Sequence, residues 1–125
     1  MVKNPARFDV ILTSNMYGDI LSDMAAAWGG GKGFVPSLSI GDEIGIAEPT
    51  HGPAPDIAGK GIANPVASIL SMALLTRYRW RLPEIADRIE NAVRETLKAG
   101  LYTPDVRPND TLNTVEFTAA VIKRL

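Results

Sequence analysis

From Glu48 to Ala63 the chain carries three prolines and three glycines in sixteen residues. Proline removes a backbone donor and fixes φ, and glycine withdraws the restraint of a side chain, so neither a helix nor a strand ladder runs through such a stretch. A loop this long is uncommon in a compact domain and usually marks function or disorder. Ile57 and Ile62, apolar residues within it, argue for order. Regular structure must therefore lie on either side.

Upstream, Phe8-Asp9-Val10-Ile11-Leu12-Thr13 is short, apolar and β-branched, and predicts a buried strand. Ser14-Asn15 supplies turn residues, and Ile20, Met24, Ala27 and Trp28 recur at helical spacing, which predicts a helix over Gly18–Trp28. The glycines from Gly29 to Gly33 stop it. The segment Ser37–Ala47 reads as two short strands about a Gly41-Asp42 turn. Downstream, Asn64-Pro65 is a helix start, followed by a nearly all-apolar helix from Val66 to about Tyr78. Pro83 opens another helix, with Ile85, Ile89, Ala92, Val93 and Leu97 inward and Glu84–Arg88 and Glu90–Arg94 pairs outward. Gly100 ends it, and Asn113 with Glu116 forms a capping-box pattern for a last helix through Leu125. The class is α/β, with few strands flanked by helices, and so few strands for so many helices mark a piece of a larger sheet.

The chain has 125 residues, the size of one domain able to bury roughly two-thirds of its unfolded surface. Thirteen Lys and Arg against fourteen Asp and Glu give a net charge of −1, so there is no electrostatic footprint for nucleic acid or an anionic membrane. No cysteine is present, which excludes a thiolate zinc site and fits a reducing cytoplasm; a single histidine excludes a multi-histidine metal site. The first residues show no signal-peptide pattern, and the apolar Val66–Tyr78 run is shorter than the ~20 residues of a membrane span.

Three groups of residues invite chemistry. Asp19 and Asp23 stand four apart, on one helical face, a spacing that lets two carboxylates share Mg²⁺ or Mn²⁺. The same spacing also suits a helix cap and a solvated carboxylate near a helix N-terminus. The loop around His51 lets a flat ligand approach its backbone, Asp56 can accept bonds from a ribose diol, and Asn64 offers an amide at a helix start. A packed loop with a locally satisfied histidine is an equal reading of those residues. The glycines before and after Lys32 follow a helix instead of opening one and lack phosphate-loop spacing, so they read as a hinge.

Together, Asn15-Met16-Tyr17-Gly18-Asp19-Ile20-Leu21-Ser22-Asp23 and the run from Glu48 to Pro65 resemble the isocitrate/3-isopropylmalate dehydrogenase family of β-decarboxylating dehydrogenases. The resemblance extends from Pro5 to the last helix and includes Thr103-Pro104-Asp105. It implies one incomplete domain over residues 1–125, the C-terminal third of a family subunit. It implies a metal site at Asp19 and Asp23 for Mg²⁺ or Mn²⁺, and a cofactor site at Glu48, His51, Gly52, Pro53, Ala54, Asp56, Ile57 and Asn64. A carboxylate at Asp56, where NADP-using members carry a lysine–tyrosine pair, implies NAD. The groups that clamp substrate and move protons are expected upstream of Met1, so none of the catalytic residues is expected in this chain and the chain alone is expected to be inactive. The implied activity is oxidative decarboxylation of a (2R)-hydroxy acid such as 3-isopropylmalate, with isocitrate, homoisocitrate and tartrate as alternatives and a non-catalytic oligomerisation module as the rival reading. The metal helix is expected to pair with its twin in a homo-oligomer through Gly18–Trp28, with Met24 and Trp28 at the contact. Two residues depart from the family pattern: Pro53 replaces a Ser or Thr, and Lys32 replaces an apolar residue.

Overall fold

The computed structural model describes residues 2–125. The first helix, α1 (Asn15–Ala26), begins three residues before the expected glycine, with Ser14 in extended conformation at its cap. A single 3-10 turn, Ala27–Gly29, continues it until Gly30 takes φ 93°, a left-handed value that costs glycine little. A second 3-10 turn, Lys32–Phe34, leads into β1 (Pro36–Ile40), which pairs antiparallel with β2 (Gly45–Pro49). Leu38 faces Ala47 in the register, and Gly41 N–H donates to the Ile44 carbonyl at 2.8 Å to close the turn. The two strands expected within Ser37–Ala47 are thus one hairpin.

Both strands lie on α2 (Val66–Leu74), which continues as a π-helical turn over Leu75–Arg79. Behind it stand α3 (Pro83–Lys98) and α4 (Thr114–Ile122). The core sits where these three helices meet: Val66, Ala92, Val93, Phe117 and Val121 are buried, with Ile69, Leu70, Leu97 and Leu112 packed around them. Thr76 and Thr96 return their hydroxyls to the carbonyls of Met72 and Ala92, which is how polar side chains remain inside it. The Asn113–Glu116 capping box forms in both directions, each bond at 2.9 Å. Gly100 ends α3 at φ 78°.

Several expectations are corrected. No strand forms over Phe8–Thr13, and Val10 and Leu12 are 83% and 96% exposed. A strand exists only by pairing, and the sole sheet among the described residues is the β1–β2 hairpin. On α3, Ala92 and Val93 are buried, whereas Ile85 faces solvent. The expected Glu84–Arg88 and Glu90–Arg94 pairs give way to partners on other elements and at other spacings. Arg88 donates to the Leu125 carbonyl, Arg94 to Asn91, and Glu90 accepts from Arg77, which also bonds Asp87. The bonds to Glu90 and then Asp87 push the Arg77 guanidinium's pKa further up, and the charged fork ties the end of α2 to the first half of α3. The last helix ends at Ile122, short of the C-terminus. Among the described residues, no helix is long and apolar enough to cross a membrane.

Candidate functional site

The loop after β2 is stitched down at both ends. At its start, Thr50 donates from its N–H and its hydroxyl to the Val35 carbonyl, at 3.2 and 3.1 Å. The buried Ser71 hydroxyl on α2 lies 2.9 Å from the Glu48 carbonyl and 2.8 Å from the Ala67 carbonyl, and accepts from Ser37 N–H at 3.4 Å. One hydroxyl thereby ties both strands to the helix beneath them. At the other end, Asn64 Oδ1 accepts from Val66 N–H and Asn64 Nδ2 donates to Asp105 Oδ2, each at 3.0 Å. Asp105 Oδ1 in turn accepts from the buried Thr103 hydroxyl at 2.6 Å. Thr114, the first residue of α4, donates from its N–H to Gly61 and from its hydroxyl to Ala63.

These ties hold the loop open as the wall of a cavity of about 780 Å³. Of the sequence-derived cofactor residues, His51, Gly52, Pro53, Ala54, Ile57 and Asn64 line it. Glu48 and Asp56 do not. Asp56 is exposed on the Pro55–Ile57 turn between two wall residues, and Glu48 lines a neighbouring polar cavity instead. Ala54 takes φ 45° immediately before Pro55, a left-handed conformation that is strained for alanine. Gly59 and Gly61 also have positive φ, and a side chain added at either would meet open space, so their conformation and not crowding calls for glycine. His51 Nδ1 lies 3.0 Å from the Gly52 carbonyl; with the proton on that nitrogen, Nε2 remains an acceptor. The histidine is therefore both locally bonded and part of the cavity wall.

The polar cavity, about 470 Å³, is lined by Asp19, Asp23, Lys32 and Glu48 together with His51 and Gly52. His51 and Gly52 belong to both cavities, so the carboxylates of α1 and the apolar cleft form one continuous surface. Asp19 and Asp23 are brought together as their spacing predicts, both exposed and both on the same wall. Lys32 Nζ donates to Asp23 Oδ2 at 2.6 Å. Two carboxylates that gather a cation suit the oxygen-only coordination of a hard divalent ion. They are two, however: among the described residues no cluster of three or more metal-ligating side chains occurs. The wall of the larger cavity is mostly apolar and includes Gly33, Gly52, Gly59 and Gly61, where a ligand can approach the backbone closely.

Asp105, named from the sequence only as part of the resemblance, completes the larger cavity together with Gly33, Thr114 and Val115, none of them among the expected cofactor residues. Asp105 carried a signal, since a carboxylate two residues after a threonine can close a local hydroxyl bond. Gly33 carried none that composition reveals: a Cβ there would stand 3.1 Å from Asp105 Oδ2 and 3.4 Å from Asn64 Nδ2.

The model of the isocitrate/isopropylmalate dehydrogenase family matches residues 1–121. The chain is 54% identical, over its whole length, to a 3-isopropylmalate/3-methylmalate dehydrogenase of Methanocaldococcus jannaschii and covers 37% of that protein. It is 47% identical to a 3-isopropylmalate dehydrogenase of Aquifex aeolicus, of which it covers 35%. The crystal structure of isocitrate dehydrogenase from Methylococcus capsulatus superposes with a TM-score of 0.92 at 44% identity, across 99% of this chain and 37% of that one. The chain thus spans a little over a third of the length of these relatives. With the family model, the relatives' identity and the fold all in agreement, the chain belongs to the isocitrate/isopropylmalate dehydrogenase family.

Proposed function

We propose that the chain is the cofactor- and metal-binding part of an NAD-dependent oxidative decarboxylase of a (2R)-hydroxy acid, with 3-isopropylmalate as the substrate that the M. jannaschii and A. aeolicus relatives' names favour. The observation that carries the reading is the junction at His51–Gly52, where an apolar cleft meets a pair of carboxylates. Such a junction would let a dinucleotide held along His51, Gly52, Pro53, Ala54, Ile57 and Asn64 meet a hydroxy acid beside Asp19 and Asp23. NAD bound there would supply the hydride acceptor for the substrate's carbinol carbon, whose oxidation would release the hydroxyl proton. The resulting 3-carboxy-2-oxo acid then loses CO₂. Mg²⁺ or Mn²⁺ held by Asp19 and Asp23 supplies Lewis-acid polarisation of the substrate's oxygens when bound. Paramagnetic broadening tests this placement. Millimolar Mn²⁺ is expected to broaden the amide signals of residues 19–23 selectively, and Asp19→Asn or Asp23→Asn is expected to weaken the effect tenfold or more. Broadening that both variants leave intact would remove the metal assignment.

NAD is proposed over NADP. Asp56 stands beside the wall residues Ala54 and Ile57, where a 2′-phosphate would meet a carboxylate, two negative charges at close range. Fluorescence titration is expected to give at least tenfold tighter binding of NADH than of NADPH, about 1.4 kcal/mol. Asp56→Ala is expected to narrow that gap, and equal affinity of the unchanged chain for both would contradict the assignment.

The exposed face of α1 supports self-association as a further part of the reading. Met24 and Trp28 are 44% and 45% exposed, so Trp28 is not packed away beneath the glycine turn. Clustered apolar exposure of this kind commonly marks a contact between proteins. Sedimentation at micromolar concentration is expected to show a dimer or larger species that Met24→Lys dissociates; a monomeric unchanged chain ends the idea.

A further inference from the structure

Lys32 is not a free surface lysine. It opens the Lys32–Phe34 turn, and the next residue, Gly33, is wedged against Asp105 and Asn64 so closely that a Cβ would approach Asp105 Oδ2 to 3.1 Å. The preceding Gly31 has φ 106°, a value that a residue with a side chain rarely takes. The backbone on both sides therefore settles where the Lys32 side chain starts, and its ammonium reaches across the end of α1 to Asp23 Oδ2 at 2.6 Å. The two side chains keep 47% and 55% of their exposure, so the pair is weak in itself and can be opened by a stronger cation.

We propose that Lys32 is a tethered competitor for the divalent-cation site, its ammonium occupying Asp23 until Mg²⁺ or Mn²⁺ displaces it. The inference rests on the metal assignment to Asp19 and Asp23 made above. Two consequences follow from charge alone. A divalent ion that takes Asp23 Oδ2 displaces the lysine from it, and then sits within a side chain's reach of the displaced positive charge. Both weaken loading, and both vanish when position 32 is neutral. Nearby groups do not cancel the effect, because among the residues lining this cavity Lys32 is the sole lysine or arginine, against the carboxylates of Asp19, Asp23 and Glu48. The device sets a threshold: the site fills only at cation concentrations that outcompete its own lysine.

The test is Mn²⁺ affinity, read by electron paramagnetic resonance as free Mn²⁺, for the unchanged chain, Lys32→Leu, Lys32→Arg and the Lys32→Leu/Asp23→Asn pair, each shown to be folded by circular dichroism. Lys32→Leu is expected to bind Mn²⁺ at least tenfold more tightly than the unchanged chain, and Lys32→Arg to stay within threefold of it. Acetic anhydride labelling gives an independent readout: the Lys32 amine is expected to be modified faster when Mn²⁺ is present, while Lys60, which does not line the polar cavity, is unchanged. Equal affinity of Lys32→Leu and the unchanged chain, with the double variant weaker, overturns the competitor role and leaves the metal assignment standing. Equal affinity of Lys32→Leu and the double variant shows that the ion does not sit at Asp23, and overturns both.

Discussion

The bond from Asn64 to Asp105 is the constraint on which the candidate site depends. Asn64 stands where the proline- and glycine-rich loop ends and α2 begins. Its carbonyl oxygen caps the helix at Val66 N–H, and its amide nitrogen reaches 41 residues along the chain to Asp105. Asp105 is itself fixed by the hydroxyl of Thr103, which is 1% exposed. A charge-assisted bond to a carboxylate already oriented by a buried donor is stronger than a neutral surface bond. Gly33 packs onto the same pair, so the glycine turn, the loop end and the segment after α3 converge on one polar junction.

This junction explains how a segment with so little regular structure becomes a cavity wall. Ile57, Ala58 and Lys60 N–H groups are used in local turns, and Thr114 closes the last part against α4. The remaining wall is left to face the cavity, with Ala54 held in a strained conformation that only surrounding ties can maintain. The helix α1 is anchored differently. Its single buried residue is Ala26, and it meets the rest of the chain through the two 3-10 turns around the glycines. The carboxylate pair thus stands on an element whose position is set by its connection to Lys32 and Gly33 more than by burial.

Much of this was legible in the residues. The hairpin around Gly41-Asp42, the stop at Gly100, the Asn113–Glu116 capping box and the irregular loop follow from local backbone chemistry, which does not depend on distant partners. The Phe8–Thr13 strand failed because pairing is a property of two segments, and an apolar β-branched run names no partner. The helical charge pairs failed because Arg77 and the C-terminus competed for the same side chains from other elements. In the candidate site, spacing placed Asp19 and Asp23 on one helical face, and it was the resemblance that singled them out as a metal pair. Spacing signals the local Thr103–Asp105 bond, but the contacts that Asp105 and Gly33 make with Asn64 cross the chain, and spacing cannot report those.

Amide hydrogen exchange on Asp105→Ala tests most directly the claim that this one junction holds the loop in place. The account predicts tenfold or faster exchange at Ala58, Lys60 and Thr114, whose N–H groups bond within or onto the loop. It predicts unchanged exchange at Ala92, Val93 and Thr96, which lie in the buried part of α3. Loop amides that exchange as slowly in the variant as in the unchanged chain would contradict it.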